Sequence, residues 1–420
     1  MIGPRGRIFP TLQVMRDPSV LIRWRERYGD PFVMKALNGD LIITGRPELA
    51  REVFALPDDA FSPFAVQTLA PVLGSGSLLL LEGEQHRRHR RRLVPPFQKD
   101  DLDFHAETIR TVAERRCASW SAGETIRAVD EARRVTFEVI VRVVFGVEDQ
   151  VETFAAASEE VLARIHPIHL FSRHTQRSFF GLSPWDRFQR AKKRVVDLLL
   201  GVIDERRRTG VRGRDVLSRL LDSRDEEGLP LDDDDIVSTL LTLLVAGHET
   251  STVALAWALH HAAREPERLG QLRKDVAAGR HEWLDAWSKE TLRRDTIVDT
   301  VMRTLTKPWT LDGRELSPGT TVGVCPYLLH RDPHLFPEPE HFRPERFLER
   351  SFRPFEWIPF GGGVRRCIGA GLALLEMRIV LGSWLSRFDF ETMGDSPEVQ
   401  RRNLLLAPSN GVPLATRSAA

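Results

Sequence analysis

Near the carboxyl end the chain reads Phe360-Gly-Gly-Gly-Val-Arg-Arg-Cys-Ile-Gly369, and Cys367 is the residue in it best suited to chemistry. The glycines, Gly361 among them, let the backbone adopt positive φ and come close to a flat partner. A helix is expected directly afterwards, from about Gly369 to Arg387. Its free N–H groups and dipole would favour a thiolate at Cys367 over a thiol. Such a thiolate could ligate a metal, whose potential N–H groups donated to the sulfur would tune. Phe360 could shield the sulfur from water, and Arg365 could reach a carboxylate on the partner's rim. The plainer reading is a buried structural cysteine beside a glycine-rich turn.

A second group lies in Ala246-Gly-His-Glu-Thr-Ser251, inside an otherwise apolar stretch. Gly247 weakens a helix and Thr250 can divert a backbone hydrogen bond, so a local opening is expected. Ala246 and Gly247 leave space, while Glu249 and Thr250 could pass protons. A helix kink with solvated polar residues would give the same letters. Glu290 and Arg293 stand three apart and share a helical face, as a common surface pair does. His86 and Arg90 stand four apart in the basic run Gly83-Glu-Gln-His-Arg-Arg-His-Arg-Arg-Arg92, which also reads as a solvated helix.

These residues need a frame to hold them. Asp232 to Asp235 place acids at the first turn of a helix whose apolar residues run to Leu259, and Pro266 ends it. About thirty residues at 1.5 Å each would cross a whole domain, and near-continuous hydrophobicity implies burial on most sides. Residues 19–29 are predicted helical, and 31–44 a hairpin turning at Asn38-Gly39. From about 46 to 300 the pattern is mostly helical. A small β-rich region follows over 300–327, with turns at Asp312-Gly313 and Pro318-Gly319, and then a proline-dense connector from Asp332 to Pro359. The first eighteen residues are expected to form an extended arm and 415–420 a flexible tail, around a single domain over 1–420. The fold class predicted is mainly α with small β-sheets.

The totals narrow the choice of function. With 42% hydrophobic and 28% charged residues, the 420-residue chain can bury a large core. A net charge of +1 gives no global field for nucleic acid or an acidic membrane. Three cysteines are too few for a disulfide framework or a cysteine-rich zinc site and suit a reducing cytoplasm. No signal peptide and no membrane span are expected, so the chain reads as soluble.

Phe360, Gly363, Arg365, Cys367 and Gly369 together resemble the haem-binding signature of the cytochrome P450 family, with every position filled. The central segment resembles that family's acid-alcohol motif, with His248 at a variable, non-ligating position. Glu290-Thr-Leu-Arg293 resembles its Glu-x-x-Arg motif, and Phe342-Arg-Pro-Glu-Arg-Phe347 the connector motif whose Arg346 completes a buried structural triad. The resemblance runs from about 30 to 410, with motifs in the family's order. It implies the P450 fold, with haem b between the long central helix and the cysteine-loop helix and Cys367 as axial thiolate. Ala246, Gly247, Phe360, Gly361 and Gly369 would border the haem, and His86, Arg90, Arg303 and Arg365 would meet its propionates.

The activity implied is a soluble, bacterial-type haem-thiolate monooxygenase that hydroxylates or epoxidises a small molecule. Glu249 and Thr250 would relay protons to dioxygen. No flavin or nicotinamide fingerprint appears, so electrons would come from a ferredoxin or flavodoxin and its reductase, serving a cytoplasmic monomer. Arg87, Arg88, Arg91 and Arg92 cannot all face the haem, and some, Arg88 and Arg92 in particular, are expected to form a docking patch for that acidic partner. By family position Phe64, Val245, Ala246, Ile297, Val298 and Leu405 would line a pocket, with Phe171, Phe179, Phe180 and Trp185 in the aromatic-rich segments nearby. A mostly apolar ligand follows, such as a terpenoid, fatty acid or steroid. One departure stands out: Arg294-Asp295-Thr296-Ile297 lacks the proline usual after Glu-x-x-Arg. A peroxygenase, a haem isomerase or a non-catalytic haem sensor remain alternatives.

Overall fold

The computed structural model describes residues 2–36, 39–63, 65–165 and 175–419. Phe64 and Phe171, expected at the pocket, and the expected hairpin tip at Asn38 lie outside them.

The helix Asp233–Arg264 forms the axis of the fold. Asp232 caps it, its carboxylate accepting the Asp235 N–H at 2.7 Å, and three further acids occupy its first turn. Its 32 residues give a length of about 48 Å. The run Ala254, Ala256, Ala258, Ala262 is buried, and small side chains let neighbours approach closely. Trp287 uses this approach: fully buried, it donates its indole N–H to the Ala258 carbonyl at 3.2 Å. By length and composition the helix could cross a membrane, but 67% of its most apolar window is buried within the fold.

Around this axis pack the helices Lys99–Ala118, Ala128–Val139, Pro184–Thr209, Glu282–Arg294 and Ala370–Leu385. Pro184–Thr209 has clear end signals: Ser183 and Asp186 form a reciprocal capping box, Pro184 sits in the first turn, and Gly210 closes the helix at φ 70°. In the cysteine-loop helix Ala370–Leu385, Trp384 is fully buried and donates to the Ala113 carbonyl at 3.0 Å, fixing that helix to Lys99–Ala118.

Among the described residues twelve short strands complete the frame: β1 Phe32–Ala36, β2 Gly39–Thr44, β3 Phe61–Ser62, β4 Thr125–Arg127, β5 Val301–Leu305, β6 Trp309–Leu311, β7 Arg314–Leu316, β8 Thr321–Val324, β9 Phe388–Thr392, β10 Val399–Arg402, β11 Leu405–Pro408 and β12 Pro413–Ser418. The largest sheet has the order β1-β2-β8-β5-β3, with β2 and β8 parallel and the other pairs antiparallel. It joins strands from both ends of the chain and sets Arg303 of β5 beside β3. The hairpin β6–β7 turns through Asp312 and Gly313, both at positive φ, as expected from that dipeptide.

Two expectations about the chain ends are corrected. Residues 1–18 are not an extended arm throughout, because Ile8–Arg16 is helical. Pro10 falls in its first turn, where the N–H it lacks has no intrahelical partner in any case. The tail 415–420 is not free through Ser418: β12 is the middle strand of the sheet β4-β12-β9. Leu414 and Thr416 face inward at 0% exposure, and the Thr416 hydroxyl donates to the Ser121 carbonyl at 2.7 Å. A hydrogen-bonded threonine at an inward position hides the alternation from a hydrophobicity pattern.

Candidate active site

The cysteine loop owes its shape to glycine at two points. Gly361 and Gly363 take φ of 65° and 67°. A Cβ on Gly363 would stand 1.9 Å from the Phe54 carbonyl oxygen, and one on Gly362 2.4 Å from the Phe54 ring. No other residue fits there. The loop closes through the Cys367 N–H, donated to the Phe360 carbonyl at 3.0 Å. Phe360 packs on the core and meets Trp357 edge-on.

Cys367 is the exposed cysteine of the three, while Cys117 and Cys325 are buried. Yet desolvation is the largest influence on its thiol and pushes it up, while the Gly369 N–H, Arg366 and Arg90 pull it down. A sulfur that is open and also desolvated faces a recess within the protein instead of bulk water. The Gly369 N–H at the helix start pulls the thiol down, in the direction expected, and burial opposes it. A bound cation would supply the missing charge, since a coordinating thiol is deprotonated outright.

Asp58, which the sequence reading passed over, organises the cationic side of the site. Its Oδ2 lies 3.0 Å from His86 Nδ1, and its Oδ1 3.9 Å from Arg365 Nε. All three side chains are almost wholly buried. Arg365 also donates to the carbonyls of Leu78 and Leu81. Arg303 lies with its guanidinium 4.4 Å from the centre of the Phe61 ring. Burial first, then the charge of Arg365, pushes Arg303 down to about 10. Desolvation likewise lowers Arg365 and His86, which Asp58 partly offsets. Arg90 donates to the Arg366 carbonyl at 2.8 Å, next to the cysteine. The Nε atoms of Arg303 and Arg365 and the Oδ1 of Asp58 are buried without hydrogen-bond partners. Two buried guanidinium groups against one carboxylate leave excess positive charge and unused donors. That suits a group presenting carboxylates, such as the two propionates of haem.

The central helix is almost wholly buried, but Ala246 is exposed and Val245, Gly247, Glu249 and Thr250 are half-buried. The helix stays continuous there. In place of a break, the Thr250 hydroxyl donates to the Ala246 carbonyl at 2.6 Å. A Cβ on Gly247 would meet only Ile140 Cδ1, at 3.0 Å. Among the described residues Glu249 has no hydrogen-bond or ion-pair partner. His248 points into the core, its Nδ1 2.9 Å from the Thr136 hydroxyl, and burial pushes it down to about 3. It is therefore neutral. Ile368, next to Cys367, packs on the same apolar cluster that includes Leu240, Leu244 and Val245 of the central helix.

Glu290 accepts both Nε and Nη2 of Arg293, at 2.7 and 2.8 Å, the Arg343 N–H at 2.8 Å and Arg346 Nε at 3.1 Å. Arg293 reaches on to the His330 carbonyl at 2.8 Å. This fully buried bidentate pair joins the end of Glu282–Arg294 to the proline-dense connector.

The missing proline has a local counterpart. Asp295 ends that helix, and its Oδ2 lies 2.5 Å from His261 Nε2 on the central helix. The His261 ring stacks on Phe342 with centres 3.9 Å apart. From this anchor the chain runs on to Ile297, whose carbonyl accepts the Leu406 N–H at 2.8 Å, so Ile297 and β11, which includes Leu405, lie side by side. Val298 is half-buried.

The docking patch expected of the basic helix Gly83–Leu93 is corrected. Arg88 pairs with Asp225 and Glu227, Arg92 with Asp225, Arg91 with Glu226 and Glu84, and Arg87 with Glu84. An acidic loop of the same chain already takes these charges. Its aspartate and glutamates follow the helix by too many residues for the pairing to be visible in the sequence.

Comparison with known proteins identifies the family. The cytochrome P450 family profile matches residues 8–414. A putative cytochrome P450 135A1 of Mycobacterium tuberculosis is 34% identical over 96% of this chain and 94% of its own length. Putative cytochrome P450 137 of the same organism is 33% identical, covering 95% of this chain and 85% of its own. Among solved structures, retinoic acid-bound cyanobacterial CYP120A1 superposes with a TM-score of 0.89 at 24% identity, over 100% of this chain and 99% of that one. On the profile, the relatives and the shared fold, the chain belongs to the cytochrome P450 family.

Proposed function

We propose that this haem-thiolate monooxygenase hydroxylates or epoxidises a mostly apolar small molecule, of terpenoid, fatty-acid or steroid type, in the cytoplasm and as a monomer. Electrons would reach it from a separate ferredoxin or flavodoxin and its reductase. Haem b supplies the activation of dioxygen and the cleavage of its O–O bond. The chain would hold it through Cys367, with His86, Arg90, Arg303 and Arg365 at the propionates and Phe360, Gly361 and Gly369 around the sulfur. Thr250 and Glu249 would hold and pass protons beside the small residues Ala246 and Gly247.

One observation carries this reading. A helix that is unbroken and buried almost throughout exposes Ala246 and half-exposes Val245, Gly247, Glu249 and Thr250, so that apolar Val245 and Ala246 adjoin Glu249, an acid with no partner among the described residues. Ile297 and Leu405, held side by side in an apolar cluster, would supply an apolar wall, as small-molecule pockets require. A library of terpenoids, fatty acids and steroids, screened for ligand-induced shifts in the haem absorbance, tests the substrate class. Hits should then give product with dioxygen and a surrogate ferredoxin and reductase. Turnover on peroxide alone, with none from reductant and dioxygen, would make the protein a peroxygenase; binding without product from either would make it a sensor.

A further inference from the structure

Among the described residues the exposed large apolar side chains mostly stand alone; they gather in two places, one being Phe179, Phe180 and Leu182, and the other the N-terminal segment. There Ile2, Ile8, Phe9 and Leu12 are each at least 60% exposed. Within the helix Ile8–Arg16, positions 8, 9, 12 and 16 fall on one face, because residues one and four apart lie within about 100° of each other. That face carries Ile8, Phe9, Leu12 and, one turn further on, exposed Arg16.

The opposite face is fixed to the protein. Pro10 is buried, and Val14 packs on the cluster containing Phe32 and Ile43. The strand end holds the segment before the helix. The Val33 N–H donates to the Ile2 carbonyl at 3.3 Å, and a Cβ on Gly3 would stand 1.7 Å from the Val33 oxygen. Arg7 is tied to Asp40 and to the Ala36 carbonyl. The helix is therefore held with its apolar face outward.

Charge decides what that face suits. Arg5, Arg16 and Lys35 are exposed, and among the described residues none has a carboxylate partner. The nearby acids are taken, Asp17 by Arg23 and Asp40 by Arg7. Four apolar side chains fall short of the roughly 800 Å² per partner that a stable protein interface buries. They do suit shallow insertion at a lipid interface, where aromatic and branched side chains enter the acyl boundary and arginines stay among the headgroups.

We propose that the outer face of Ile8–Arg16 is a peripheral contact with anionic lipid surfaces, made through Ile8, Phe9 and Leu12 and steered by Arg5, Arg16 and Lys35. It needs no membrane-spanning segment and is independent of the substrate proposed above. With so few anchoring groups the contact is weak and reversible.

The test is co-sedimentation of the haem-loaded full chain with vesicles of phosphatidylcholine alone and of phosphatidylcholine with phosphatidylglycerol. The protein should pellet with the anionic vesicles and be released by high salt. Phe9→Ser with Leu12→Ser should weaken partitioning at least about tenfold. Arg5→Ala with Arg16→Ala should weaken it about fivefold for each charge removed. An unchanged carbon monoxide difference band shows that each variant keeps its fold. Failure of the wild type to pellet with anionic vesicles would overturn the proposal, as would equal pelleting by all variants. Self-association abolished by Phe9→Ser with Leu12→Ser, without vesicle binding, would assign the face to a second copy instead.

Discussion

Asp58 holds His86 Nδ1 at 3.0 Å with one carboxylate oxygen, while the other stands 3.9 Å from Arg365 Nε and has no hydrogen-bond partner. The pair joins a loop near the amino end to the cysteine loop near the carboxyl end, close enough for both charges to act on Arg303. One carboxylate thus stands among several cationic groups that would otherwise repel one another.

Replacing that carboxylate should matter most when nothing else supplies negative charge. Asp58→Asn is expected to destabilise the haem-free chain by about 1–3 kcal/mol and the haem-loaded chain by less, because on the proposed placement propionates would then balance Arg303 and Arg365. Denaturant unfolding of both forms measures the difference; an equal loss would remove Asp58 from the cofactor site's electrostatics.

Glu376, on the cysteine-loop helix, is buried with one oxygen unpartnered, and burial pushes it up to about 8 despite a hydrogen bond from Ser251. The unfolded chain ionises this group near its ordinary value of 4.5 while the folded chain keeps the proton. The group therefore costs nothing below about pH 4.5, an increasing amount up to about pH 8, and a constant amount above that. Glu376→Gln should make the protein more stable at pH 8 by about 3–5 kcal/mol and leave stability unchanged at pH 4. Parallel stability–pH curves for the two proteins would show that Glu376 ionises normally in the fold.

Asp295→Pro would put a proline into the segment after Glu-x-x-Arg, where the family usually carries one. It should nevertheless destabilise the protein by about 3 kcal/mol or more, since it removes the His261 tie and the Asp295 N–H donated to the Thr291 carbonyl. A thermal midpoint equal to or above the wild type's would mean that the His261–Asp295 pair contributes no net stability.

Thr250→Ala removes the hydroxyl bonded to the Ala246 carbonyl. Product formed per dioxygen consumed should fall about tenfold or more, with oxygen uptake largely retained. Unchanged coupling would exclude Thr250 from proton delivery.

Arg92→Glu would place like charge beside Asp225, 2.8 Å from the present guanidinium, with Arg88 as the remaining cation. A stability loss of about 1–3 kcal/mol is expected, with little change in the salt dependence of reduction by a ferredoxin. A large change in salt slope at unaltered stability would return this helix to partner docking.

The parts of the site legible in the sequence are those built by spacing within one segment. The glycines before Cys367, the acid and alcohol at Glu249-Thr250 and the Glu290–Arg293 pair each occupy a few consecutive residues. Asp58 was not legible because Asp58-Asp59 reads as an ordinary solvated turn, and only the sheet that sets β3 beside β5 brings its charge near Arg303. The acidic partners of Arg88 and Arg92 were hidden for the same reason, being contacts between distant segments. At the chain ends, a proline in a first turn and a threonine in a strand interior each imitate disorder by composition while satisfying their backbone and hydroxyl groups locally.

Gly363 leaves no room for a side chain against the Phe54 carbonyl, and Gly362 none against the Phe54 ring. The helix Pro47–Phe54 therefore serves as an anvil for the sulfur-bearing loop. The loop that presents Cys367 is thus braced against a helix from the opposite end of the polypeptide. If Cys367 ligates the haem iron as proposed, a mutation that repacks Phe54 would detune the iron without touching anything that binds it.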